Sequence, residues 1–459
     1  STSNTTDGAD VELDPPVDDA DDGRGRLNLV IVGHVDAGKS TLMGHLLCKA
    51  GVVSAKQQHK FEKESKEMGK ETFKFAWVLD EGADERARGV TIDVCVKHFQ
   101  TDKKNVTVLD APGHMDFVPN MIAGASQADA AIVVVDSSKF DAGFKRGGQT
   151  KEHMQLIRAL GLNTIIVAIN KLDVCGWKQE VFEDLKEQVH RFLTSRDVGV
   201  AYKTDNIVYV PISGFDGVNL LDNKCDQLKA WYNGPTLVQA LDNLPELQRD
   251  EPSSSLRIPI GDVTKTSSST LLSGKVECGM LKVGQKVVLM PAKQECIVKG
   301  VQSRDISVRS VKTGSYCDIV QLPIEPHFAS IGHVLCDASC PIPLVSSFKA
   351  QILVFDPDLP LTKGMQLMLH MYTNVELVMI EKINGLLNKK TGGLEPKRPK
   401  CLIKGQAAQI TLRLHDAGRR ICMDTKPPKG APTSFSRVVL RLGSCTVAAG
   451  VVIELVDRT

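Results

Sequence analysis

A glycine-rich run of eight residues constrains this 459-residue chain more than any other feature. Residues 33–40 read Gly-His-Val-Asp-Ala-Gly-Lys-Ser, a complete G-x-x-x-x-G-K-[ST] phosphate loop. An apolar segment, 27–32, precedes the run, and a helical pattern over 39–47 follows it. A strand–loop–helix unit of this kind aims backbone N–H groups and the positive end of a helix at an anion. The sequence therefore predicts a nucleoside triphosphate site lined by Val35, Asp36, Ala37, Gly38, Lys39, Ser40 and Thr41.

Two further segments offer groups for a magnesium ion and a γ-phosphate. Residues 110–113 read Asp-Ala-Pro-Gly after an apolar strand, which places Asp110 for the Mg²⁺ shell and the Gly113 N–H for the γ-phosphate. Thr91 can give its hydroxyl to Mg²⁺ and its N–H to the γ-phosphate. In the phosphate loop, Lys39 can reach the β- and γ-phosphates, and Ser40 can ligate Mg²⁺. The predicted metal ligands are therefore Ser40, Thr91 and Asp110.

His114 directly follows Gly113 and is the predicted catalytic side chain. Its ring can position the water that attacks the γ-phosphate in line. The residues alone therefore predict a catalytic set of His114, Thr91, Asp110 and Gly113.

The base is predicted to be guanine. Residues 170–173 read Asn-Lys-Leu-Asp at the end of another apolar strand. A carboxylate at Asp173 can accept the ring N1–H and the exocyclic amine of guanine, whereas adenine would leave that carboxylate unpaired. The expected ligands are therefore GTP or GDP, with Mg²⁺. The residues predicted to bind the base are Asn170, Lys171, whose stem can pack along the ring, Asp173, and the backbone-donor loop Ser213, Gly214 and Phe215.

Alternating apolar and helical patterns predict the architecture of the first half of the chain. Strands are predicted at 27–33, 91–99, 106–110, 130–136, 164–170 and 207–213, and helices at 39–47, 152–160 and 180–192. Such alternation indicates a doubly wound α/β domain with a mostly parallel sheet. The ligand of such a sheet lies at the carboxyl ends of its strands.

The chain is predicted to hold one acidic tail and three folded parts. Residues 1–24 form the tail, because residues 1–23 carry eight acidic side chains and no Lys or Arg, which is typical of disorder. The α/β domain takes 25–248. Short apolar runs separated by glycines predict two β-barrel domains, at 256–341 and 345–459.

The distribution of charge and the spacing of cysteines predict the kinds of partner and the cellular compartment of the protein. The net charge of +1 argues against a broadly basic surface. Residues 376–441 nevertheless carry 14 Lys/Arg against 5 Asp/Glu, which indicates either a solvated face or a contact with an anionic partner such as RNA. Twelve cysteines without paired C-x-x-C spacing favour reduced thiols in the cytosol. No apolar run is long enough to predict a membrane span.

The motifs together resemble the translational GTPases of the elongation factor 1-alpha group. The resemblance is carried by 33–36 (Gly-His-Val-Asp), 85–91 (Glu-Arg-Ala-Arg-Gly-Val-Thr), 110–114 and 147–153 (Gly-Gly-Gln-Thr-Lys-Glu-His). It extends from about Leu27 to Val456. It implies an α/β P-loop GTPase domain followed by two β-barrel domains, and ribosome-stimulated hydrolysis of GTP to GDP and phosphate. It also implies that Val35 and Val90 form an apolar gate before His114.

Three subgroups of this group are candidates. Residues 386–393, 397–400 and 440–450 resemble the ribosome-rescue subgroup, which partners the tRNA-shaped protein Pelota. Carriers of aminoacyl-tRNA typically have an Arg-Asp pair where this chain has Arg441-Leu442. The release-factor-associated subgroup typically has Lys at the Val90 position.

The resemblance thus favours delivery of Pelota to stalled ribosomes, followed by subunit dissociation, as in no-go decay. The alternatives are a carrier of aminoacyl-tRNA, a release-factor-associated GTPase in termination, and a GTP-binding scaffold with little hydrolysis. The presence of His114, Thr91 and Asp110 argues against the scaffold. The expectation is a cytoplasmic monomer that contacts Pelota and the ribosome, both its RNA and its proteins, with no membrane or DNA partner.

Overall fold

The structure is a computed structural model of the chain. It describes residues 23–67, 69, 74–79, 85–86, 91–144, 149–195, 201–246, 249, 255–265, 270–304, 306–388, 393–396, 398–426 and 433–457. Among the features predicted above, residues 1–22 of the acidic tail, Val90, Gly147, Gly148 and Lys397 lie outside the described residues.

A six-stranded sheet forms the first part of the chain. Its strands, β1 to β6, are Gly25–Gly33, Cys95–Gln100, Lys104–Asp110, Ala130–Asp136, Ile165–Asn170 and Ile207–Pro211. The spatial order is β2-β3-β1-β4-β5-β6, and every neighbouring pair is parallel except the antiparallel β2–β3 pair at the edge. Strands β3, β4 and β5 are buried along their whole length, because helices cover both faces of such a sheet; β4 and β5 are correspondingly rich in Val and Ile.

Helices flank this sheet. The α-helices of the described residues, α1 to α8, are Lys39–Lys49, Ala55–Glu67, Val118–Ser126, Phe140–Phe144, Gln149–Ala159, Gln179–Thr194, Asp226–Lys229 and Leu237–Asp242. Helix α6 shows why these segments fold as they do. Its residues Phe182, Leu185, Val189 and Leu193 recur every three or four positions, so they share one face, and all four are buried.

The largest error among the predicted strand boundaries of the first sheet is the start of β2; the other errors are one or two residues. The strand predicted over 91–99 begins only at Cys95, and Thr91 lies in an irregular segment. Cys95 pairs with Asp110, the last residue of β3, so residues before Cys95 have no ladder partner on that strand. The carboxylate of Glu85 accepts the N–H groups of Ile92 at 2.9 Å and Asp93 at 3.2 Å, and this holds the segment in its irregular course.

The second part of the chain is an antiparallel β domain. Its strands, β7 to β16, are Arg257–Lys265, Thr270–Lys275, Met280–Lys282, Lys286–Met290, Gln294–Ile297, Gly300–Ser303, Ile306–Val308, Ser310–Lys312, Tyr316–Leu322 and Val334–Asp337. Eight of them form one sheet in the order β11-β10-β16-β7-β8-β15-β12-β13. Cys296 on one edge strand and Val308 on the other belong to one apolar core, so the sheet curls around that core.

The third part contains a closed barrel. Strands β17 to β26 are Leu344–Val345, Ser347–Val354, Leu361–Thr362, Gln366–Met371, Asn374–Leu386, Cys401–Leu402, Ala407–Leu414, Ile421–Cys422, Arg437–Leu442 and Cys445–Leu455. The barrel closes in the order β18-β23-β21-β20-β25-β26. The predicted fold class, an α/β domain with a mostly parallel sheet followed by two β-barrel domains, is confirmed, and among the described strands the closed barrel is that of the last domain. The limits of the three domains stay predictions. No helix among the described residues is both long and apolar enough to cross a membrane.

A buried ion network joins the first two domains. The Asp129 carboxylate, which follows α3, accepts the Lys275 ammonium of β8 at 2.9 Å, Arg249 Nη2 at 2.8 Å and the backbone N–H of Asn28 at 2.9 Å. The Asp129 and Lys275 side chains are each 7% exposed. Burial alone would raise the pKa of Asp129, but Lys275 and Arg249 outweigh it and hold that pKa well below its usual value of 3.8. The network therefore stabilises the fold above about pH 4 and loses that contribution as pH falls through the depressed value.

Lys275→Met should destabilise the protein strongly, because it leaves the buried Asp129 charge without one of its two cations. We expect the free energy of unfolding to fall by about 3–5 kcal/mol, measured by urea denaturation at pH 7. The control is Lys286→Met, since Lys286 and its partner Glu295 form an exposed pair and exposed pairs contribute about 0–1 kcal/mol. Equal losses in the two variants would contradict this account of the network.

Candidate nucleotide-binding site

A cavity of about 440 Å³ lies at the carboxyl edge of the first sheet. The predicted site residues that line it are Val35, Asp36, Gly38, Lys39, Ser40, Thr41, Thr91, Gly113, His114, Asn170, Lys171, Asp173, Ser213 and Phe215. Ala76 and Val174 also line it, although the sequence did not single them out. Of the other predicted residues, Ala37, Asp110 and Gly214 do not line the cavity themselves, and Val90 lies outside the described residues. Loops that are far apart in sequence thus meet in one place.

Two glycines allow the phosphate loop to lie close to its neighbouring loops. Gly38 has φ +89°, and a Cβ there would lie 2.7 Å from Asn170 Nδ2. A Cβ on Gly113 would lie 2.2 Å from Lys39 Nζ. Lys39 Nζ donates to the carbonyl oxygens of Gly33 at 3.2 Å and His34 at 3.0 Å. The Lys39 ammonium thus lies against Gly113, beside the start of α1, where a phosphate would meet both the lysine and the helix N-terminus.

The predicted metal ligands offer oxygen atoms. Ser40 Oγ and Thr91 Oγ1 are 3.1 Å apart. Asp110 is fully buried and ends β3, next to β1 in the sheet. Two hydroxyls and a carboxylate are the hard ligands that Mg²⁺ prefers, so these residues fit the ion. When bound, Mg²⁺ would neutralise charge on the phosphates.

Asn170 joins two of the loops at the base end of the cavity. Its Nδ2 donates to the Ala37 carbonyl at 2.8 Å, and its Oδ1 accepts the Gly214 N–H at 2.8 Å. The N–H of Gly214 is therefore engaged within the protein. A backbone donor to the guanine carbonyl would have to come from another residue of the 213–215 loop.

Lys171 is held in place by a partner that sequence reasoning missed. Its Nζ donates to the Asp36 carbonyl at 2.6 Å and to Asp136 Oδ2 at 2.8 Å. Burial would raise the pKa of Asp136, but hydrogen bonds from Lys171 and Ser138 outweigh it and lower that pKa. Asp136 ends β4 at the same sheet edge as the predicted loops, and this position was the available signal.

His114 is positioned at the mouth of the cavity by a short 3₁₀ helix, Met115–Phe117. Its Nδ1 accepts the Asp116 N–H at 3.3 Å and lies 3.4 Å from Asp116 Oδ2, so Asp116 holds that edge of the ring. The side chain is 41% exposed, which leaves the ring accessible to water. Val35, one half of the predicted apolar gate, lines the same cavity.

A phosphate loop, an oxygen ligand set and an Asn-Lys-x-Asp loop at one sheet edge, followed by two β domains, define a GTPase of the P-loop class. Comparison with known families agrees. Residues 24–246 match the family described as elongation factor Tu GTP binding domain, and residues 347–453 match GTP-eEF1A C-terminal domain-like.

Identity to individual proteins shows which group of GTPases the chain belongs to. The chain is 38% identical to Protein HBS1 of Drosophila melanogaster over 95% of this chain and 64% of that protein's length. It is 36% identical to elongation factor 1-alpha of Thermofilum pendens over 94% of this chain and 97% of the relative. The chain therefore belongs to the elongation factor 1-alpha group of translational GTPases, as its motifs predicted.

A solved structure supports the fold alone. The Saccharomyces cerevisiae Ski7 GTPase-like domain bound to GTP superimposes with a TM-score of 0.76 at 16% identity, over 94% of this chain and 98% of that one.

Proposed function

We propose that this GTPase delivers a Pelota-type, tRNA-mimicking protein to stalled ribosomes in the cytoplasm and acts as a monomer. Hydrolysis of GTP then releases the GTPase, and subunit dissociation follows. The similarity to Protein HBS1 across 95% of the chain is the observation that carries the proposal. The chain spans about two thirds of that relative, so the activity of the whole protein belongs to the proposal as well.

The residue after Arg441 supports this reading over tRNA delivery. Carriers of aminoacyl-tRNA typically have Asp at this position, whereas Leu442 is apolar and packs against the core of the third domain. Arg441 itself is 3% exposed; it donates to the Ser444 carbonyl and lies 3.6 Å from Glu152 Oε1 of the first domain. Arg441 and Leu442 thus both make their contacts within the protein.

The site residues fit the hydrolytic step in named roles. Lys39 would bind the β- and γ-phosphates, and Ser40, Thr91 and Asp110 would hold Mg²⁺. His114 would hold the attacking water in line. In the GTP state the γ-phosphate would also order the Thr91 segment, so that the partner meets an ordered surface.

A binding experiment separates the candidate partners. The protein loaded with a non-hydrolysable GTP analogue is mixed with purified Pelota or with aminoacyl-tRNA, and both dissociation constants are measured. We expect tight binding of Pelota that weakens with GDP, and weak binding of aminoacyl-tRNA. The reverse order of affinities would favour the alternative, an aminoacyl-tRNA carrier. The 36% identity to an elongation factor 1-alpha is the observation that supports this alternative.

We call residues 397–400 of the third domain the basic loop, and we propose that it contacts ribosomal RNA. Arg398 and Lys400 are exposed; Lys397, predicted to act with them, lies outside the described residues. Reversing all three charges to Glu should weaken ribosome association more than Pelota binding, because contacts to phosphates depend on charge more than an interface with an apolar centre does. Ribosome co-sedimentation at two salt concentrations, beside a Pelota titration, measures both effects.

The matched control reverses Lys56, Lys178 and Lys203, three exposed lysines of the first domain. It changes the net charge by the same amount on another surface. Loss of Pelota binding with unchanged ribosome association would assign the basic loop to Pelota instead.

A further inference from the structure

Gln149 opens helix α5 and lies buried between two nucleotide loops. The residue is 8% exposed. With its amide oxygen turned to the Met115 N–H at 2.9 Å, its nitrogen faces the Gly113 carbonyl at 2.9 Å and His34 Nδ1 at 2.8 Å. This orientation pairs the amide with all three neighbours, whereas the opposite orientation pairs its oxygen with the Val35 N–H at 3.3 Å. Nothing in the hydrolytic roles described above uses this side chain, although it belongs to the 147–153 motif.

His34 lies in surroundings that disfavour its charged form. Burial and the neighbouring Lys39 lower the pKa of His34, and a hydrogen bond with Gln149 offsets part of that lowering. A neutral imidazole has one ring nitrogen free to accept a hydrogen bond, and Nδ1 of His34 is the atom that faces the Gln149 amide nitrogen. The same amide therefore contacts the phosphate loop and the loop that carries His114.

The Gln149 amide contacts the backbone on both sides of His114. Gly113 and Met115 are its immediate neighbours in the chain, and the amide binds the carbonyl of one and the N–H of the other. The side chain of His114 projects from a backbone that is held on both sides. We propose that Gln149 is a positioning residue that fixes the His114 backbone relative to the phosphate loop.

Helix α5 is anchored on its other side by the third domain. The Glu152 carboxylate accepts Thr446 Oγ1 at 2.8 Å. One position further along α5, His153 is fully buried, and burial, followed by Lys39 and His34, lowers the pKa of this ring to about 3. A neutral, enclosed His153 and a Glu152 bound to β26 leave the first turn of α5 little freedom. The Gln149 amide is thus presented by a fixed element, which positioning requires.

The test separates binding from chemistry. This inference rests on the proposed role of His114 in hydrolysis. Gln149→Met keeps the side-chain volume and removes the three hydrogen bonds; Gln149→Glu keeps an acceptor for the Met115 N–H and removes the donors. We expect single-turnover GTP hydrolysis to slow by about 10- to 100-fold in Gln149→Met and less in Gln149→Glu. GTP affinity should change by no more than about threefold, because the amide does not line the nucleotide cavity. Gln155→Met, in the same helix, is the control.

The double variant decides how Gln149 acts. If it acts through His114, adding Gln149→Met to His114→Ala should slow hydrolysis no further than His114→Ala alone. Independent, multiplicative losses, unchanged hydrolysis in Gln149→Met, or an equal fall in GTP affinity would each overturn the inference. Unchanged hydrolysis in His114→Ala would overturn the proposed role of His114 and this inference together. All rates are taken with and without ribosomes, so an absence of ribosome stimulation in the wild type counts against the proposed function alone.

Discussion

Asp173→Asn is expected to exchange the base preference from guanine to xanthine. The asparagine keeps an oxygen that can accept the N1–H of either base. Its amide nitrogen faces an amine in guanine, where two donors meet, and a carbonyl in xanthine, where the pair is matched. Hydrogen bonds to a charged group contribute about 1.5–3 kcal/mol each, so losing the carboxylate should lower GTP affinity by about 10²- to 10⁴-fold. Equilibrium titration with fluorescent GDP and XDP measures both changes.

The control for this variant is Asp205→Asn, an exposed carboxylate of the same domain that lies outside the cavity lining. It should leave both affinities unchanged. Normal GTP affinity in Asp173→Asn would mean that the 170–173 loop does not read the base. The position of Asp173 in the cavity lining, beside Lys171, is what makes the expected effect so large.

His114→Ala is expected to slow ribosome-stimulated hydrolysis by about 10²-fold or more while GTP binding stays nearly intact. A group that acts on the attacking water stabilises the transition state and leaves the ground-state complex unchanged. The ring lies at the mouth of the cavity and its Nδ1 is held by the Asp116 N–H. Single-turnover hydrolysis on ribosomes and GTP affinity are measured in parallel.

His59→Ala provides the comparison, because His59 is an exposed histidine on α2. Its hydrolysis rate should match that of the wild type. An unchanged rate in His114→Ala would remove His114 from the mechanism, whereas equal losses of affinity and rate would make it a binding residue.

The parts of the fold that sequence predicted well are those fixed by local pattern. Strand β4 was predicted with its observed limits, because an uninterrupted apolar run ends in a carboxylate. The loops after β1, β3 and β5 were predicted to meet because the carboxyl ends of parallel strands share an edge. The cavity lining follows from that rule and from the motifs.

The parts that sequence could not predict depend on contacts across the chain. The late start of β2 is set by where its partner β3 ends and by the Glu85 carboxylate. The Lys171–Asp136 pair joins two loops that become neighbours only when β4 pairs with β5. Gln149 stood in a recognised motif without a role, because its role appears only when α5 packs against both loops.

If the GTPase delivers Pelota to the ribosome, ribosomes and Pelota together should stimulate its GTP hydrolysis. The most direct measurement is the single-turnover rate of GTP hydrolysis on ribosomes stalled with an empty A site, with Pelota or with cognate aminoacyl-tRNA added. We expect fast hydrolysis when ribosomes and Pelota are both present, and slow hydrolysis with aminoacyl-tRNA. Fast hydrolysis with cognate aminoacyl-tRNA and none with Pelota would contradict delivery of Pelota.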